Sequence, residues 1–229
     1  MHPFVLLLLV LLFIYLAWRF VKDQNTSKRE RESLFDDCLD LFEAYKVRKT
    51  PSGYPELVGR YKSVPFRLEL IFDAAAFRKL PSLWLIVNLE APLQTEGIVD
   101  YLVRPDNTEF YSPGWLLPMS LPIPESWPQH AILRTDTPDL ASWLVHLVGV
   151  QQLFENSRMK ELSFGRSGVR LVNQVKEANR ATYTTMRYVK FDMSVMERES
   201  VRELLERAIS FHMALDRITR EKNEVCMYA

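Results

Sequence analysis

Seven glycines, two cysteines and four histidines are all that 229 residues contain, and each scarcity excludes something. So little glycine leaves no material for a glycine-rich loop whose bare backbone wraps a phosphate, and neither G-x-x-x-x-G-K-[ST] nor G-x-S-x-G occurs. Cys38 and Cys226 stand far apart with no framework spacing around either, so they read as free thiols rather than a disulfide scaffold. His2, His130, His146 and His212 are scattered, without the spacing of a zinc site, and no metal or cofactor is expected. Net charge is also missing. With 29 Lys+Arg against 29 Asp+Glu there is no basic field to neutralise phosphates, which argues against a nucleic-acid partner.

What is present begins at the N-terminus, where Pro3–Trp18 is an uncharged run rich in Leu, Val, Phe and Ile. Extended to Val21 it spans about 28 Å as a helix, close to the ~30 Å hydrocarbon core of a bilayer. Tyr15 and Trp18 fall where interfacial aromatics belong, and Arg19 is placed to snorkel. A cleaved signal would need a basic stretch before the run and a small-x-small site after it, and neither is there. The expectation is a retained anchor over residues 1–22, contacting the lipid bilayer through residues 3–21. Arg19, Lys22, Lys28, Arg29 and Arg31 follow the run and place the body in the cytoplasm, at a plasma or inner membrane.

Residues 23–53 read as a polar juxtamembrane spacer and then an amphipathic helix, with Leu34, Phe35, Cys38, Leu39, Leu41, Phe42 and Tyr45 at helical spacing up to Thr50-Pro51-Ser52-Gly53. From Tyr54 the period becomes two. Leu57–Tyr61 and Phe66–Phe72 flank Lys62-Ser63-Val64-Pro65 as a hairpin, Leu83–Leu89 is a more continuously apolar strand, and Ile98–Val103 pairs with it in a four-stranded meander. Ala131–Arg134 is a further strand. Thr137-Pro138 opens a helix through Leu140, Trp143, Leu144, Leu147 and Val148, which Gly149 closes. Lys160–Phe164 and Val169–Val175 form a hairpin about Gly165–Gly168, Tyr183–Phe191 offers one more strand, and Ser194-x-x-Glu197 caps a long helix reaching about Lys222. The fold class is α+β: an N-terminal transmembrane helix, then an antiparallel-sheet domain (54–229) with a long C-terminal helix.

One stretch exceeds a plain structural reading. Six of 13 prolines fall in residues 105–128, with Phe110, Tyr111, Trp115, Leu117, Met119 and Trp127 among them, too long and too apolar for a solvated connection. These six form the candidate binding surface, since aromatic and Met side chains dominate such surfaces. Asp136 suffices as a helix cap, and Cys38 lies on the same stripe as Leu34 and Phe42 without a group to activate it. No catalytic constellation emerges. The sequence therefore points to a non-enzymatic, single-pass anchored protein whose domain binds a protein partner at the membrane. The alternatives are an apolar-ligand or lipid carrier with the loop as lid, and a membrane-anchored hydrolase.

Overall fold

A computed structural model describes residues 3–73, 80–95, 97–106, 109–138, 147, 149–186, 188–193 and 195–227, with side chains in the last helix given to Arg220. Helix α1 runs unbroken from Pro3 to Glu32, is long and apolar enough to cross a membrane, and buries none of its residues against the domain. The described strands form one antiparallel sheet: β1 (Ala44–Lys49), β2 (Pro55–Tyr61), β3 (Val64–Phe72), β4 (Ser82–Leu89), β5 (Val99–Val103), β6 (Met119–Ser120), β7 (Ala131–Thr135), β8 (Met159–Gly165) and β9 (Gly168–Glu177). Their order in space is β1-β2-β3-β4-β9-β8-β5-β7-β6. The α+β reading thus holds, with an N-terminal apolar helix, a nine-stranded antiparallel sheet and a C-terminal helix.

Alternation builds the core on one face. Leu57, Phe66, Leu68, Leu70, Leu85, Leu171, Leu162 and Tyr101 point to the same side and are fully buried. Helix α4 (Arg198–Met227) closes that face with Val201, Leu204, Leu205, Ala208 and Leu215, its most buried stripe. Each Leu so enclosed contributes about 1.5–3 kcal/mol. Short helix α2 (Val150–Glu155) adds Val150, Leu153 and Phe154, and the i,i+4 pairs Glu203–Arg207 and Asp216–Arg220 form at 2.5 and 2.8 Å along α4.

Four local expectations are corrected. Leu34–Tyr45 is not one helix: a 3₁₀ turn (Asp36–Leu41) buries Leu34, Phe35 and Cys38, and the chain then extends into β1. The apolar spacing is used, but against the start of α4, where Met196 N–H donates to Leu34 O at 2.7 Å and Arg198 pairs with Asp40. Strand β5 does not pair with β4. Because β4 is apolar on both faces it belongs in the sheet's centre, and the β9–β8 hairpin inserts beside it, leaving β5 between β8 and β7. The β2–β3 turn is only Lys62-Ser63, both at positive φ as a type I′ turn requires, so Val64 and Pro65 belong to the strand. Tyr183–Phe191 is not a strand, since Asn179 accepts from Thr182 N–H at 2.9 Å and caps helix α3 (Arg180–Met186). The expected helix after Pro138 falls mostly on residues 139–146, outside the described residues, as does Ser194 of the capping box.

The β8–β9 turn lands as expected. There Gly168 has φ +129° and a Cβ would lie 2.0 Å from Leu89 O in the neighbouring strand. Gly168→Ala is therefore expected to destabilise the domain by about 2–3 kcal/mol, read as a lowered midpoint in thermal unfolding followed by circular dichroism.

Candidate functional site

The proline-rich loop wraps an edge of the sheet. From Arg104 it passes over the face opposite α4, makes a short 3₁₀ turn (Pro113–Leu116), pairs as β6 with β7, and returns to the core side at Trp127. Ser112 starts the turn, its hydroxyl accepting from Gly114 N–H at 3.2 Å, and Pro113 presets the first helical φ. Two of the six predicted residues are anchors: Leu117 is buried, and Trp127 stands edge-on to Tyr101 at 4.9 Å. Tyr111 lies against Trp84 at 5.9 Å with its hydroxyl buried, and Met119 is half-buried in β6. Phe110 and Trp115 remain on the surface at 65% and 41% exposure. Leu116, which the sequence reading did not single out, is exposed by 88%. Trp115 is held rather than loose, its Nε1 donating to Glu109 O at 2.9 Å and Arg134 stacking over the ring at 5.4 Å.

Beneath the loop lies a buried charge cluster that the sequence reading missed. Asp100 on β5 and Glu161 on β8 project from the face away from the core, diagonal to each other, with Asp100 opposite Ser163 and Glu161 opposite Leu102, and are 2% and 0% exposed. Ser112 donates to Asp100 Oδ2 at 3.0 Å, and Arg170 on β9 donates from Nε to Glu161 Oε1 at 3.0 Å and from its other end to Tyr111 O at 2.8 Å. Gly114 sits so close that a Cβ would fall 2.2 Å from Asp100 Oδ2. A second buried pair, Lys160–Glu109 at 2.8 Å, ties the start of the loop to β8.

Each carboxylate keeps one bare oxygen: Asp100 Oδ1 and Glu161 Oε2 are buried without a hydrogen-bond partner. A bare, desolvated carboxylate oxygen is costly, and a proton on it removes most of that cost. Burial accordingly lifts Asp100 to about 6, against the pull of Ser112 and of the Arg170 and Arg134 charges. Burial and then the charge of Asp100 lift Glu161 to about 8. The arrangement stores a proton and clamps the loop. It is closed to solvent, so its chemistry is that of a latch rather than an open cleft.

The other candidate groups have structural roles. Cys38 is enclosed, and burial pushes its thiol up to about 12. His212 Nε2 lies 3.1 Å from Ala91 O. Asp136 accepts from Ile98 N–H at 2.8 Å.

Fold and site together define an α+β domain with one broad antiparallel sheet, clamped by a proline-rich loop and carried behind an apolar N-terminal helix. No known family model, curated protein or solved structure matches this chain.

Proposed function

We propose that this is a single-pass membrane-anchored, non-enzymatic module whose sheet domain lies in the cytoplasm and offers the tip of its proline-rich loop to a protein partner. Helix α1 carries the proposal: its apolar window has a mean hydropathy of 2.6 with none of it buried inside the structure, and its first charges, Arg19 and Lys22, follow Tyr15 and Trp18. Leu116 and Phe110 support the recognition part, being the two most exposed large apolar side chains among the described residues outside α1. Exposed apolar side chains on a braced backbone lose little entropy on binding, and anchoring raises local concentration enough for a small contact to suffice. The carrier alternative gains no support, since Leu85, Leu171, Leu205 and Ala208 fill the space between sheet and α4.

Alkaline carbonate extraction tests the anchor: the full chain is expected to stay with the membrane, and a chain lacking residues 3–21 to be released. A photo-crosslinker at Phe110 tests the recognition. It should capture a protein from intact membranes that is lost in Leu116→Asp with the circular dichroism spectrum unchanged. Capture that is indifferent to Leu116 and Trp115 would end the reading. Trp127 is unsuited to this test because it is core.

A further inference from the structure

We infer that the end of the sheet from which α1 leaves is a second membrane contact, facing the anionic phospholipid headgroups of the leaflet that α1 enters; this rests on the anchored reading above. Strands β1, β3 and β9 end there and β2 and β4 begin there, so the rim consists of the Thr50–Tyr54 turn, Phe72, Ser82, Glu177 and the segment around α3. Helix α1 is tied to this rim by contacts from its last turn. Glu32 pairs with Lys49 at 2.6 Å, Arg31 stacks on Tyr54 at 5.8 Å, and the next residues, Leu34 and Phe35, are already core.

An unbroken helix is a ruler. Eleven residues from Lys22 to Glu32 rise about 16 Å, and the headgroup layer takes up roughly 5–8 Å of that. The remaining gap is close to the ~8 Å Debye length at physiological ionic strength, so the rim feels the surface potential of the leaflet.

The rim is furnished for that field. Arg48, Lys176, Arg180 and Lys190 are exposed on it, and none of them has an ion-pair partner among the described residues. Lys49 is neutralised by Glu32. The acids beside them are Glu177, Asp192, which accepts from Asn179 at 2.7 Å, Asp73 at the end of β3, and Glu56, which stands opposite Arg48 and pairs with Arg67 at 3.3 Å. Tyr188, half exposed at the same end, is an amphipathic side chain of the kind that settles among headgroups. Each basic residue held within a Debye length of an anionic leaflet adds to the attraction.

The experiment uses full-length protein in nanodiscs containing a nickel-chelating lipid, in a Cys226→Ser background, with one spin label at Ser52→Cys on the rim or at Ser167→Cys in the turn at the opposite end. In discs with phosphatidylserine the Ser52 label is expected to relax several-fold more strongly than the Ser167 label. The double variant Arg180→Glu/Lys190→Glu should at least halve that enhancement, as should nickel-bearing discs in which phosphatidylcholine replaces the phosphatidylserine. Equal relaxation at the two ends, or values indifferent to lipid charge, overturns the inference. Failure of the anchor itself would look different, because the protein would not elute with the discs.

Discussion

Replacing Arg170 with Met is expected to lower stability by about 3 kcal/mol at neutral pH, a drop in melting temperature of roughly 6–12 °C for a domain of this size. The guanidinium serves two buried acceptors at once, Glu161 Oε1 within β8 and Tyr111 O in the loop, and no other described side chain reaches both. A hydrophobic side chain of similar length fills the volume but leaves the carboxyl group enclosed and the loop carbonyl without its donor. Glu161 responds by holding its proton more tightly, which limits the loss at low pH and enlarges it as pH rises. Pairing the change with Glu161→Met removes the stranded acid and should recover most of the stability. Thermal unfolding of both variants at pH 6 and pH 8 checks this. A single variant within ~1 kcal/mol of the parent at both pH values would show that the cluster contributes no more than surface ion pairs do.

The domain is also expected to lose stability as pH rises from about 4 toward 8, opposite to the usual behaviour of paired carboxylates. Asp100 and Glu161 are held above their unfolded values, to about 6 and about 8, by burial. In that window the folded state carries more bound protons than the unfolded chain, so raising the pH draws protons off and favours unfolding. Their contribution is fully present below the unfolded carboxylate range and is gone once pH passes the folded values. Glu161→Gln keeps an oxygen for Arg170 and cannot ionise, so its curve should be flatter by on the order of a few kcal/mol across the window and should cross above the parent near pH 8. Denaturant titrations at five pH values measure this. Parallel curves for parent and variant would mean that Glu161 is ionised throughout. Because Ser112 and Gly114 lie directly on Asp100, the loop should be the first segment to become protease-sensitive on the alkaline side.

Much of the architecture was readable from periodicity. The C-terminal helix, the β8–β9 hairpin with its glycine turn and the strand at Phe66–Phe72 follow from local pattern alone, since burying one face fixes both spacing and register. What alternation does not reveal is whether a sheet's second face is covered. Asp100 stands between Val99 and Tyr101, and Glu161 between Lys160 and Leu162, which reads as an ordinary solvent-facing position until a distant loop closes over it. The signal was split: the loop's apolar content called for a surface to sit on, while an acid amid the apolar residues of β5 lacked a reason. The strand order was likewise illegible, because β9 takes its place beside β4 through contacts spanning some ninety residues. In the candidate surface, identity alone did not separate anchors from contacts. Trp127 and Trp115 are the same side chain in the same loop, yet one is turned inward by Tyr101 and the other is braced outward by Arg134.

Strand β1, exposed along its whole length at the border of the sheet, carries a further consequence. Its outer backbone rail is the sort of template on which neighbouring copies zip together, and confinement to a bilayer, as proposed, would multiply their encounters. Under the proposed anchoring, copies rooted in one bilayer would stand upright side by side, so their border strands would run in the same direction and the favoured antiparallel pairing would be barred by orientation alone. Lys46 and Arg48 add like-charge repulsion to the parallel pairing that remains. A root of that kind would crowd these molecules and also keep them apart, a protection that a version cut loose from it would forfeit.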